Sequence, residues 1–128
     1  MEYCYQRIID GSFEEIEAVV REKLQEQGFG VITEIDVKAT MHAKLDIDFT
    51  NYKILGACNP PAAHATLVKD PGIGLLLPCN VVLWENDDHS VTVAAIDAVK
   101  LLAITGHDEM AELAQQINES LISALDSL

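Results

Sequence analysis

Apolar and polar residues alternate along this chain with two different periods, and each period predicts one kind of element. A helical period begins after Ser12, which starts a capping box. Gly28 is a natural residue to end this helix, so we predict it over residues 12–27. A second apolar stripe predicts a long helix that ends near Leu125, with Asp108 as its N-cap.

Shorter runs of apolar and β-branched residues predict strands. They cover residues 2–9, Gly30 to Asp36, Tyr52 to Ala57, Asn80 to Glu85 and Ser90 to Ile96. Residues 37–45 fit both an alternating strand and a helix. We predict a helix because Asp36 can cap it and the segment is rich in helix formers. Another helix is predicted over residues 60–69, where prolines follow the candidate N-cap Asn59.

This mixed order of elements predicts an α+β fold, with one mostly antiparallel sheet and two long helices packed on one face. The 128 residues fit a single domain over residues 1–128, large enough for one hydrophobic core.

The strand that contains Trp84 is apolar on both of its faces. We therefore expect a second copy to cover the face without helices, as in a homodimer. The alternative is an ordinary central strand beneath a helix.

Charge and composition narrow the classes of partner. With 21 acidic and 8 basic residues the formal net charge is −13, which disfavours binding to nucleic acid or to an anionic membrane. No segment has the apolar length of a membrane span, and the first residues show no apolar signal region. The three cysteines are an odd number at wide spacing with no CxxC pattern, which fits a reducing compartment better than a disulfide framework. We expect a cytoplasmic protein.

Two Cys-Asn steps beside proline form the candidate site. Cys58-Asn59 ends one apolar run, and Cys79-Asn80 begins another. If the sheet places these runs side by side, both thiols and both amides share one pocket. His64 lies one turn into the helix that follows Asn59, and helical side chains lean toward the N-terminus, so His64 could join them.

This cysteine pocket allows three interpretations. A soft metal ion such as zinc or copper could be bound by Cys58, His64 and Cys79. The two thiols could instead act as a redox pair, or one of them as a nucleophile beside His64. In the third interpretation both thiols are small buried apolar groups of a structural or interaction module.

Asp70 lies on a different helical face from His64, which argues against a triad, and His107 is expected to be exposed. We favour a homodimer that binds a small ligand or a metal; whether it is an enzyme stays open.

The two motifs also carry a resemblance. The strings YKILGACNP and GLLLPCNVV resemble the signature of the bacterial and archaeal family called domain of unknown function 302. The matching positions are Gly56, Cys58, Asn59, Pro60, Leu76, Pro78, Cys79 and Asn80. The resemblance covers nearly the whole chain and implies a small α+β fold similar to the helix-grip arrangement of the TATA-binding protein, commonly as a dimer. It implies no function, and a fold shared with a DNA-binding protein is no argument for DNA binding.

Overall fold

A computed structural model describes residues 2–128 of the chain. The strands are β1 (Cys4–Ile9), β2 (Gly30–Asp36), β3 (Tyr52–Cys58), β4 (Cys79–Glu85) and β5 (Val91–Ile96). The α-helices are α1 (Phe13–Glu26), α2 (Val37–Leu45), α3 (Pro60–Lys69), α4 (Ala98–Ala103) and α5 (Ala111–Asp126). Two 3-10 helices, Pro71–Leu76 and Asp108–Met110, precede β4 and α5. Within this part of the chain, no helix is both long and apolar enough to cross a membrane.

The strands form one sheet in the order β1-β5-β4-β3-β2, and every neighbouring pair is antiparallel. Strands β2 to β5 follow one another as a meander, and β1 pairs with β5 at the far edge. Since β1 and β2 lie at opposite edges, α1 carries the chain from one edge to the other. Helices α1 and α5 pack on one face of the sheet, which confirms the predicted α+β class.

The core lies between this face of the sheet and the two long helices. Strand alternation directs Leu55, Val81 and Val93 toward the helices, and all three side chains are completely buried. Val20 and Leu24 of α1 meet them at helical spacing. Burying a side chain of this size contributes about 1.5–3 kcal/mol. The apolar stripes in the sequence therefore become the main core of the molecule.

The other face of the sheet, here called the open face, lies opposite the long helices α1 and α5. Strand alternation places on it Cys4, Gln6, Ile8, Thr33, Ile35, Tyr52, Ile54, Gly56, Asn80, Val82, Trp84, Thr92, Ala94 and Ile96. None of these residues is charged. The rings of Tyr52 and Trp84 stack here with centroids 5.8 Å apart, and Ile8 is 64% exposed.

Most helix starts follow the predicted capping residues. Ser12 caps α1, Asp36 caps α2 and Asn59 caps α3, each by accepting a backbone N–H bond. The prediction for Asp108 is wrong. This residue lies inside a 3-10 turn in which the Met110 N–H donates to the His107 carbonyl, 3.1 Å away. The turn satisfies the backbone before α5 begins, so α5 starts without a side-chain cap.

Candidate functional site

A mostly apolar cavity of about 270 Å³ lies where β3 ends and β4 begins. Its wall is built from the start of α3, the segment before β4 and residues of other elements that pack nearby. The apolar part of the wall includes Phe29, Ala57, Ala62, Leu77, Leu102 and Ile117. Two small side chains at the start of α3, Ala62 and Ala63, line this space.

Both predicted thiols line this cavity. Cys79 pairs with Ala57 in the ladder between β3 and β4, so it neighbours the strand that ends at Cys58. Both cysteines are free thiols; Cys79 is buried and Cys58 is half-buried. Burial, and then the proximity of Cys58, raise the pKa of Cys79 to about 11. At neutral pH the Cys79 sulfur therefore carries its proton, which makes it a weak nucleophile and a weak metal ligand.

Asn59 joins the thiols at the cavity wall and also holds the start of α3. Its Oδ1 accepts a hydrogen bond from the Ala62 backbone N–H at 3.1 Å. Pro60 and Pro61 follow in the first turn, where their missing N–H groups cost nothing. The motif Cys58-Asn59-Pro60 therefore ends a strand, caps a helix and leaves the thiol at the junction.

Gly56 explains how the motif Cys79-Asn80 reaches the cavity. A Cβ atom on Gly56 would lie 2.0 Å from Thr33 Oγ1 and 2.6 Å from the Cγ of Pro78. Real side chains never approach this closely, so only glycine lets Pro78 pack against β3. Since Pro78 directly precedes Cys79, this close approach sets where β4 begins and brings Cys79 to the cavity.

Two predicted site residues do not line this cavity. Asn80 follows Cys79 in a strand, so its side chain points to the open face, where it borders a groove with Tyr52 and Trp84. His64 lies two residues from the buried Ala62, a rotation of about 200° around the helix, and is exposed. Cys58, Asn59 and Cys79 are thus brought together, while Asn80 and His64 are not.

The metal interpretation lacks its ligand set in this geometry. Among residues 2–128, no group of three or more His, Cys, Asp or Glu side chains is arranged to hold a metal ion. With His64 outside the cavity, a zinc or copper ion would find only the two thiols there, and the pKa of Cys79 opposes its deprotonation.

Two features of the structure were not predicted from the sequence. Thr66 lines the cavity on the same face of α3 as Ala62, and their spacing of four residues is the signal that could have identified it. His107, predicted to be exposed, is half-buried and its Nε2 lies 2.9 Å from Asp70 Oδ2. This pair connects the end of α3 to the segment before α5, and the hydrogen bond from His107 lowers the pKa of Asp70.

Comparisons with known proteins agree with this architecture. A crystal structure of an uncharacterized conserved DUF302 protein from Bacillus stearothermophilus superimposes with a TM-score of 0.90 at 25% sequence identity, covering 98% of each chain. No curated protein is significantly similar in sequence. The family model described as "Domain of unknown function DUF302" matches residues 5–128. The chain therefore belongs to the DUF302 family.

Proposed function

We propose that this chain is a homodimeric protein that binds a small, mainly apolar molecule in the cavity beside Cys58 and Cys79. The observation that carries the proposal is the cavity wall, which is apolar apart from the two thiols, Asn59 and Thr66 and includes no charged side chain. Ile32 and Leu67 line this cavity and are exposed, so the cavity opens to solvent and a ligand can enter it. A cavity of about 270 Å³ lies at the small end of ligand pockets.

The protonated state of Cys79 supports binding over a reaction at this sulfur. Redox exchange and nucleophilic attack both need a thiolate, and the Cys79 pKa of about 11 keeps this sulfur protonated at neutral pH. A protonated thiol behaves as a small apolar group. Cys79 therefore suits the wall of an apolar pocket better than the centre of a reaction.

Self-association is the second part of the proposal. Although the net charge of the chain is −13, none of the 14 open-face residues named above is charged. Two copies could meet through this face without bringing like charges together, and would bury the Tyr52–Trp84 stack.

The binding proposal is tested by filling the cavity. Ethylbenzene, which has no polar group, should raise the melting temperature of the wild-type protein in a dose-dependent manner, since binding to the folded state alone stabilises it. In Ala63→Phe the new ring occupies the cavity, so the increase should disappear. Ala65→Phe, on the exposed side of α3, is the matched control and should respond like the wild type.

Circular dichroism shows whether each variant is folded. If Ala63→Phe unfolds, Ala63→Leu is the smaller alternative. The proposal is overturned if ethylbenzene and its larger homologues leave the wild-type melting temperature unchanged. It is also overturned if the folded cavity variant responds as strongly as the control.

A further inference from the structure

We infer that the ligand is an uncharged amphiphile, a short apolar chain ending in a hydroxyl or amide group. This inference rests on the proposed function and adds the chemical class of the ligand. It follows from the charges, the polar groups and the size of two neighbouring cavities.

The second cavity, of about 300 Å³, adjoins the first. Both cavities are lined by Phe29, Asn59, Ala62 and Ile117, which form the boundary between them. The second cavity adds Gln116 and Ser120 of α5 to the wall, and so has the more polar lining. A ligand that reaches from the apolar cavity into the second one therefore gains Gln116 and Ser120 as polar partners, in addition to Asn59 and Thr66.

Neither cavity offers a partner for a charged head group. Among residues 2–128, no Lys, Arg, His, Asp or Glu lines either of them. Burying a carboxylate or an ammonium group without a partner of opposite charge is very costly. A fatty acid or an amine would therefore find no ion-pair partner in either lining, and this favours a neutral head group.

The polar residues at the boundary and in the second cavity match a group that both donates and accepts hydrogen bonds. The Asn59 oxygen already accepts from the Ala62 N–H, so its amide nitrogen is the group that can donate to a ligand. Gln116 and Ser120 can each donate and accept. A hydroxyl or a carboxamide pairs with such a set; a hydrocarbon does not.

Cavity volume limits the length of the apolar chain. At roughly 30 Å³ for each water-sized group, the cavity of about 270 Å³ holds about nine non-hydrogen atoms. Each added CH2 group contributes about a fourfold gain in affinity while it is still buried. Affinity should therefore rise along a series of alcohols and stop rising near nine atoms.

Titration calorimetry on the wild-type protein tests the head group. Alcohols from 1-pentanol to 1-octanol should bind about fourfold more tightly per CH2 group. Octanamide should bind about as well as 1-octanol, whereas octanoate and octylamine should bind at least tenfold more weakly at neutral pH. Octanoate or octylamine binding as tightly as 1-octanol would overturn the inference.

Variants of α5 test the polar end. Ser120→Ala should weaken 1-octanol binding about threefold to tenfold, the loss expected for one hydrogen bond, and leave ethylbenzene binding unchanged. Ser123→Ala, an exposed serine on the same helix, is the matched control and should change neither. Unchanged 1-octanol binding in both Ser120→Ala and Gln116→Ala would refute the inference while ethylbenzene binding preserves the proposed function. If no probe binds, ethylbenzene included, the proposed function itself fails.

Discussion

At the scale of single residues, Gly56 has the least room for a side chain. Thr33 and Pro78 occupy the space that any Cβ atom would need, at 2.0 Å and 2.6 Å. Its neighbours belong to two other segments of the chain, so all three segments would have to shift. A methyl group at this position therefore disturbs both the sheet and the start of β4.

We expect Gly56→Ala to lower the free energy of unfolding by about 2–3 kcal/mol, the cost of overpacking a rigid site. Urea unfolding followed by circular dichroism measures the change. Gly30→Ala is the matched control, because a Cβ atom on this strand residue meets nothing within 4 Å. If the two variants are equally stable, the close approach does not constrain the fold.

The motif residues show how far single positions could be predicted from the sequence. Proline and asparagine after Cys58 indicated the junction between strand and helix, and the structure places both thiols at one cavity. The expected place of His64 depended on which side of α3 is buried, and that is decided by tertiary packing. Asn80 follows Cys79 on a strand, so alternation separates the two side chains.

At the scale of elements, α1 is held to the sheet by charges as well as by its apolar stripe. The Lys53 ammonium lies 2.9 Å from Glu17 of α1 and 2.8 Å from Glu34 of β2. Arg21 contacts the same two carboxylates. The hydrogen bond between Lys53 and Glu34 lowers the pKa of Glu34. The same bond, followed in size by the hydrogen bond to Glu17, raises the pKa of Lys53.

Lys53→Met should reduce the free energy of unfolding by about 1 kcal/mol near neutral pH, the scale of a partly exposed ion pair. The lowered pKa of Glu34 stabilises the fold above the ordinary value of 4.5, and this contribution is lost as pH falls through the lower, folded value. The raised pKa of Lys53 stabilises the fold below 10.5, and this contribution is lost as pH rises through the higher, folded value.

The difference in the free energy of unfolding between wild type and Lys53→Met should therefore be constant between pH 4.5 and pH 10.5. It should shrink below and above this range. Chemical unfolding at a series of pH values measures it. Lys44→Met, which changes an exposed lysine of α2, should differ little from the wild type at any pH. A difference for Lys53→Met that does not shrink in acid would contradict the role of Glu34.

Element boundaries were predictable wherever a local signal determines them. The helix over residues 37–45 was ambiguous by periodicity alone, and the Asp36 cap, which accepts the Ala39 N–H at 2.9 Å, favoured the correct alternative. Asp108 looked like an equally good cap. The 3-10 turn before α5 depends on packing of Met110 against a small cluster with Ile73 and Leu102, which no local pattern reveals.

At the scale of the whole molecule, the open face is the surface through which we propose that two copies meet. Antiparallel sheets with one solvated face usually carry polar residues there. Here the central positions are Val82, Ile54 and Ala94, and the edges expose Ile8 and Ile35.

We expect the wild-type protein to sediment as a dimer and Val82→Lys to sediment as a monomer, because a buried, unpaired ammonium group at the interface is costly. Analytical ultracentrifugation over a range of concentrations measures the equilibrium. Val68→Lys, at an exposed position of α3, adds the same charge elsewhere and should stay dimeric. A wild-type protein that is monomeric throughout would refute self-association.

The order of the strands and the lining of the cavity were the features that could be predicted least from the sequence. The antiparallel class followed from the hairpin and the order of elements, whereas the position of β1 beside β5 has no local signal. The cavity likewise needs Leu102 and Ile117, which are distant in sequence from both motifs. Their contribution is visible only once the chain is folded.

The pairing of β1 with β5 has a consequence for the kinetics of folding. Cys4 pairs with Ile96, and Arg7 of β1 donates to the carbonyls of Leu125 and Leu128. These contacts join the beginning of the chain to its end, and long loops close slowly because their entropy is lost before any contact forms. The β2–β5 meander can assemble early from neighbouring segments, so docking of the first strand is expected to be the late, rate-limiting event.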